Sequence, residues 1–249
     1  MPAPTPTPTP PPVRWTPAVR MGLSIAFATG LYGISFGALA VAAGLSVAQT
    51  AALSVLMFTG GSQFAFIGVI AGGGAASAAV GAAALLGVRN AVYGMQMNRM
   101  LAPTGWRKWL AAHLTIDESA ATAVGQSAPD EQQRGFWTAG VGVFVLWNLF
   151  TLLGAWLGDA LGDPRRWGLD GAAVAAFLGL LWPRLRQREP VALAVLCGVV
   201  TALAVPLVPP GLPILLAAAV GAAWGWWVRD TGADASPQAP SAATPTEAP

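Results

Sequence analysis

The stretch Phe58-Thr59-Gly60-Gly61-Ser62-Gln63-Phe64 interrupts a segment that otherwise has the character of a membrane-spanning helix. Apolar residues predominate from Leu53 to Phe58 and again from Phe64 to Ile70, so two adjacent glycines, a hydroxyl and an amide lie where lipid favours none of them. In hydrocarbon an unsatisfied backbone group costs several kcal/mol, and irregular backbone persists at membrane depth only where protein or a water-filled cavity covers it. Two readings are open. Gly60 and Gly61 are a close-packing face for a neighbouring helix, or they divide two half-helices that expose backbone dipoles to a small polar solute.

Composition places this break in a membrane. Hydrophobic residues make up 55% of the 249 and charged residues 10%, too few polar side chains to coat a soluble domain of this length. The expected fold is all-α, a polytopic integral membrane helix bundle with discontinuous or re-entrant helices. The formal net charge is only +2, and arginines are scattered between apolar blocks, which argues against nucleic-acid binding. The lone Cys197 has no disulfide partner. With one histidine, His113, and no Cys/His/Asp cluster, no metal or other cofactor is expected.

Three regions follow from patterning. Residues 1–19 open with alternating Pro and Thr from Met1 to Pro12 without an apolar core, the pattern of an extended disordered tail and not of a signal peptide. Residues 20–229 form the membrane domain. Residues 230–249, rich in Ala, Pro, Ser and Thr, are expected to be disordered as well. Within the membrane domain, Met21 to Ala43 is long enough for one crossing, and its Gly30, Gly33 and Gly37 favour close helix approach or bending. Ser46 to Ala71 holds the break, Gly72 to Gly74 form a turn, and Ala75 to about Met97 is the next run. Trp106 to Gly125 is too polar for an ordinary lipid-facing crossing. Phe136 to Leu157 is a clear span, Gly158 to Leu169 a loop, and Asp170 to Trp182 a short segment. Val191 to Val208 and Leu212 to Val228 are the last two spans, with Trp224, Trp226 and Trp227 marking an interface.

Orientation follows from the basic residues. If Ser46 to Ala71 and Trp106 to Gly125 each enter and leave on one side, Arg14, Arg20, Arg99, Arg107, Lys108, Arg134, the Arg184 to Arg188 cluster and Arg229 all fall on the cytoplasmic side, with both termini. Treating Ser46 to Ala71 as a full crossing would place Arg99, Arg107 and Lys108 outside. The first scheme is preferred.

An arginine at a helix centre costs about 2.5 to 3.5 kcal/mol on insertion scales, so Arg89 is a candidate functional residue, unless its run ends near Val88 and the side chain snorkels. Tyr93 shares its face four residues on, and Asn90 adds an amide. Asp117 and Glu118 are a second constellation: desolvation favours the neutral form of a carboxylate, which suits a proton carrier or counter-charge. The alternative is structural, because Thr115-x-x-Glu118 has capping-box spacing. Tyr32, Asn148 and Asp170 are secondary candidates. Asn148 reads more readily as an interhelical hydrogen bond and Asp170 as an N-cap, while His113 reads as interfacial. No nucleophile with an adjacent base is present, so an enzyme is not expected.

The segments Gly30-Leu31-Tyr32-Gly33-Ile34-Ser35-Phe36-Gly37, Phe58 to Phe64, Leu85-Leu86-Gly87-Val88-Arg89-Asn90-Ala91-Val92-Tyr93-Gly94, Thr115-Ile116-Asp117-Glu118, and Gly168-Leu169-Asp170 followed by Phe177 and Pro183 resemble, in order and spacing, the AzlC family of branched-chain amino acid permeases. The resemblance covers about Arg20 to Val228. It implies a multi-pass exporter of leucine, isoleucine, valine and in some cases methionine, located in the cell membrane and working with a small hydrophobic AzlD-type partner. This chain departs from the commoner family pattern at Gly87, usually Asn, at Asn90, usually His, and at Gly61-Ser62, often two small residues such as Ala-Ala.

On this reading, Gly60, Gly61, Ser62 and Gln63 expose backbone and amide groups to the substrate at mid-membrane. Arg89 with Tyr93 holds or gates the carboxylate, bidentate if the guanidinium faces inward. Asp117 carries the proton or counter-charge, with Glu118 beside it. A carrier for a different small solute and a non-transporting membrane assembly subunit are the alternatives.

Overall fold

The computed structural model describes residues 15–161, 166, 178, 181–182 and 185–233. The two tails, most of the segment 162–184 and with it Asp170 lie outside the described residues. All regular structure among the described residues is helical. The chain divides into two compact units at Pro183/Arg184.

In the first unit, α1 spans Pro17–Ala42. It begins a turn earlier than the apolar run because the Thr16 side chain accepts a hydrogen bond from the Val19 amide and Pro17 occupies the first helical turn, where proline's fixed φ and missing N–H cost nothing. Next come α2 (Val47–Leu56) and α3 (Gly61–Ala71), so no helix continues through the break. A reciprocal box between Ser46 and Gln49 starts α2, with the Gln49 amide 3.2 Å from Ser46 Oγ and the Ser46 amide 2.8 Å from Gln49 Oε1. The helix ends at Leu56, where Met57 leaves helical geometry at φ −103° and ψ 54°, and Gly60, at φ 60° and ψ −85°, precedes α3 in a conformation that residues with a Cβ resist.

α4 spans Ala76–Leu101, a turn longer than the run to Met97 suggested, and ends at Ala102 in the left-handed region. Arg89 is therefore at the middle of a full-length helix, and the alternative in which the run ends near Val88 does not hold. α5 (Trp106–His113) and α6 (Asp117–Val124) are again half-helices, followed by α7 (Pro129–Leu161). Among the described residues three helices are long and apolar enough to cross a membrane: α1, α4 and most of α7. At 1.5 Å per residue α2 and α3 are each only about 15 Å long, half the hydrocarbon thickness of about 30 Å.

The contacts fix how the half-helices run. α1 and α7 lie parallel, with Gly22 facing Ala139, Gly30 facing Leu146 and Gly37 facing Ala155. Gln126, just past α6, reaches the Met21 sulfur near the start of α1. Arg107, in the first turn of α5, shares a surface pocket with Asp130 and Arg134 near the start of α7. Thus α5 and α6 enter and leave on the side where α1 and α7 begin. At the opposite side, Gln49 near the start of α2 and Ile70 near the end of α3 border one open groove with Gly44. α3 packs against α4, Ser62 facing Gly87. The two broken segments are re-entrant hairpins inserted from opposite faces. The same spacing in sequence separates Pro17 from Ala76, Ala42 from Leu101 and Val47 from Trp106, so α1 with its hairpin and α4 with its hairpin form an inverted pair, the architecture of many carriers.

Close approach of α1 and α7 holds this unit together. A Cβ on Gly37 would overlap the Thr151 carbonyl, and one on Gly154 the Ile34 carbonyl. Gly30, Gly33 and Gly37 are thus contact glycines, as their density suggested. Toward the side where α2 begins, Tyr32, Phe36, Phe64 and Trp147 form an aromatic cluster with ring centroids 5.2 to 6.2 Å apart, within the range of favourable ring pairs.

The second unit is a helical hairpin of α8 (Arg188–Ala204) and α9 (Leu212–Ala233). The Cys197 thiol lies 3.6 Å from the Ala217 carbonyl across it. Trp224 and Trp227 pack edge to face near its end.

Candidate functional site

The tips of both hairpins meet at one small cavity. Its wall combines Thr29 and Tyr32 of α1, Phe58 to Gly61 of the first tip, Arg89 of α4, Ile116 to Glu118 of the second tip, and Val143 and Trp147 of α7. The volume is about 20 Å³, room for about one water molecule. An amino acid does not fit in this volume without a conformational change.

Arg89 bridges the two tips. Its Nη2 is 2.9 Å from Asp117 Oδ2 and donates to the Thr59 carbonyl at 3.4 Å. One guanidinium thus holds the unwound backbone of the first hairpin and the first residue of α6 together. Both side chains are partly buried, 35% and 26% exposed, and the Arg89 Nε is buried without a partner among the described residues. A second acceptor could be taken up there, as the forked donor geometry of arginine allows.

Glu118 is placed differently. The Thr29 hydroxyl donates to its Oε1 at 3.5 Å, and no basic side chain among the described residues pairs with it. The box Thr115-x-x-Glu118 that the spacing suggested is not formed. Thr115 instead donates back to the Ala111 carbonyl at 2.7 Å, and Ser119 Oγ accepts from the Ile116 amide at 3.0 Å. Ser119 also donates to carbonyl oxygens of Leu114 and Ile116, at 2.7 and 3.2 Å. By serving the break itself, Ser119 leaves both carboxylates in the cavity wall. The first N–H groups of any helix lack an intrahelical acceptor, and Gly61 and Asp117, the first residues of α3 and α6, both border the cavity.

Of the residues singled out in the sequence, Gly60, Gly61, Tyr32, Arg89, Asp117 and Glu118 share this wall. Ser62, Gln63, Asn90 and Tyr93 do not border it. Gln63 is a tie within the first hairpin, its fully buried amide nitrogen 3.2 Å from the Leu53 carbonyl and 3.4 Å from that of Ser54. Ser62 faces α4, and Tyr93 packs against the core. Asn148 donates to the Phe144 carbonyl one turn back on its own helix, at 2.7 Å, instead of bonding to another helix. His113 is exposed at the end of α5, its ring 6.0 Å from Phe58 and 5.5 Å from Phe144.

Sequence reasoning did not name Thr29, Phe58, Thr59, Ile116, Val143 and Trp147 as site residues. Thr29 carried a usable signal, lying three residues before Tyr32 and so on the same helix face.

No curated protein and no solved structure gives a significant match. A family model, that of the AzlC protein, matches residues 24–161, more than half of the chain and the two-hairpin unit from within α1 to the end of α7. The chain belongs to the AzlC family of membrane permeases.

Proposed function

We propose that this protein exports branched-chain amino acids, leucine, isoleucine and valine, together with methionine, from the cell, coupled to an ion gradient and assisted by a small AzlD-type membrane partner. The observation that carries the reading is the meeting of two oppositely inserted hairpin tips around one guanidinium and two carboxylates. That set is complementary to a zwitterion: Arg89 takes the carboxylate, while a carboxylate of the wall takes the ammonium group. The ion pair leaves Asp117 engaged, so Glu118 is the carboxylate available for the ammonium group or for a coupling proton. Membership of the family supports the substrate class. One methylene changes affinity by only about 1 to 3 kcal/mol, so several aliphatic amino acids are accepted.

The location proposed is the cell membrane with the start of α1 on the cytoplasmic side. Arg20, Arg99, Arg107, Lys108 and Arg134 gather at that side, and no Lys or Arg occurs from Met21 to Val88, an asymmetry that supports this orientation.

Efflux of labelled leucine, valine and methionine from cells with and without the protein, with an unrelated nucleoside as competitor, tests the assignment. Faster efflux of all three amino acids, unaffected by the nucleoside, is expected. Equal efflux in both strains would overturn the substrate class. A carrier for another solute is favoured if only the nucleoside is moved, and a non-transporting assembly subunit if Arg89→Ala and Asp117→Asn leave leucine tolerance intact in cells that make the protein.

A further inference from the structure

Six polar side chains outside the ion pair are almost completely removed from solvent, each with a polar atom that has no hydrogen-bond partner among the described residues: Thr50, Ser54, Ser62, Gln63, Trp147 and Thr151. Other buried hydroxyls of this protein are satisfied. Thr115 and Thr122 donate to the carbonyl four residues back at 2.7 and 2.6 Å, the usual solution for a threonine in an apolar helix. Thr50, Ser54 and Thr151 are also helical, yet their hydroxyls do not take it.

These exceptions are not scattered. Thr50 and Ser54 lie one turn apart and are the two buried residues of α2. Trp147 and Thr151 lie one turn apart on α7, and α2 packs on α7. Trp147 borders the cavity, Gln63 holds the Ser54 carbonyl from the first tip, and Thr151 Oγ1 faces Gly33 of α1. In the direction of α7, Thr151 lies beyond Trp147 on the side where α2 begins, and Thr50 lies beyond Ser54 in the same direction. The row therefore leads from the cavity toward that side, past the aromatic cluster that now closes it. An unpaired hydroxyl in a dry interior is costly, and isosteric apolar side chains would pack here without that cost. Hydroxyls kept at such positions belong to a conformation in which the seam is wet.

Building on the transport reading above, we infer that the row of Thr50, Ser54, Trp147 and Thr151, where α2 packs on α7 and Thr151 turns its hydroxyl toward Gly33 of α1, is the closed half of the translocation path, opened by α2 moving away while the tight α1–α7 contact stays in place. It opens to carry the hydrated head of a small zwitterion from the Arg89 cavity to the side on which α2 starts. No residue of this row is titratable, so the seam conducts a polar solute and water but does not itself store a proton.

The single cysteine, Cys197, lies in the second unit, so the full chain with Cys197→Ser is a cysteine-free background in which Ser54→Cys and Thr151→Cys are introduced singly. In whole cells exporting leucine, a charged, membrane-impermeant thiol reagent added outside is expected to modify both positions, faster when leucine is loaded inside, and modification abolishes efflux. A control at lipid-facing Val145 stays unmodified. Isosteric Thr50→Val and Thr151→Val proteins are expected to melt at the same or a higher temperature while efflux falls. Absence of external modification at both positions, modification from the cytoplasmic face only, or full efflux by the valine variants would each overturn the inference. Modification that responds to a different solute and not to leucine would keep the seam and overturn the substrate assignment instead.

Discussion

Gly37 of α1 lies directly against the Thr151 carbonyl of α7, with no space between them for a Cβ. That contact sets how closely the two parallel helices approach, and through them where Tyr32 and Trp147 stand in the cavity wall. Gly37→Ala, and equally Gly154→Ala against Ile34, is expected to destabilise the unit by about 1 to 3 kcal/mol as the helices are forced apart. The matching control is Gly81→Ala on α4, where nothing lies within 4 Å and a neutral or slightly stabilising change is expected. Thermal unfolding in detergent distinguishes these outcomes; equal melting for all three would show that the glycine seam does not set the packing.

Arg89 touches both hairpin tips, so its removal should cost transport more than fold. Arg89→Lys keeps the charge but loses the planar fork that reaches Asp117 and Thr59 together. A reduction in efflux of about tenfold, equivalent to about 1.4 kcal/mol, is expected for it, and complete loss for Arg89→Ala. Asp117→Ala leaves a partly buried cation without its partner, whereas Arg89→Ala with Asp117→Ala removes both, so the double variant is expected to melt above the single Asp117 variant. A double variant that melts lower than either single one would mean that the two residues do not act as a pair.

Gln63 was expected to face the substrate, and its amide instead ties α3 to the Leu53 and Ser54 carbonyls of α2. Gln63→Leu should therefore destabilise the first hairpin by about 1 to 3 kcal/mol, the cost of leaving buried acceptors unpaired. Gln63→Glu is expected to be worse, because it brings a carboxylate against two carbonyl oxygens. Hydrogen exchange at the amides of α2 reads this out: faster exchange confined to that hairpin is expected, and an unchanged pattern with impaired efflux would return Gln63 to the substrate path.

How much of this arrangement could be read from the chain varies with the physics behind each feature. The two interruptions are visible because Gly60-Gly61 and the Thr115 to Glu118 run are anomalous in an apolar setting, and such anomalies survive translation into structure. The basic residues favoured a re-entrant course for the first segment, since Arg99, Arg107 and Lys108 share a side with Arg20 only if that hairpin returns. What the sequence could not reveal is which polar groups serve each other. The box at Thr115 and Glu118 had the right spacing, but Ser119 satisfies the break from within, and that choice depends on a backbone path no spacing encodes. Trp147 and Val143 entered the site only through the parallel contact of α1 with α7, a long-range packing fact. Thr29 and Tyr32, by contrast, share a helix face and could have been named together.

Glu118 and Asp117 are adjacent in sequence and border one cavity, yet they stand in different relations to charge: Asp117 is bonded to a guanidinium, while Glu118 has the neutral Thr29 hydroxyl. A carboxylate already paired with a cation gains little from exchanging a proton during a cycle, whereas one bonded to a hydroxyl and without an ion-pair partner of its own is free to take up a proton or a substrate ammonium group. The two amide substitutions should therefore separate. Glu118→Gln is expected to abolish leucine export against a concentration gradient while leaving exchange of labelled for unlabelled leucine measurable, because a permanently neutral side chain cannot alternate between the two partners. Asp117→Asn loosens the tie between the tips, so both driven export and exchange are expected to fall together, with a lower melting temperature. Paired assays in proteoliposomes, one with an imposed ion gradient and one under exchange conditions, decide the matter: driven export that survives Glu118→Gln would remove Glu118 from the coupling step and return that role to Asp117.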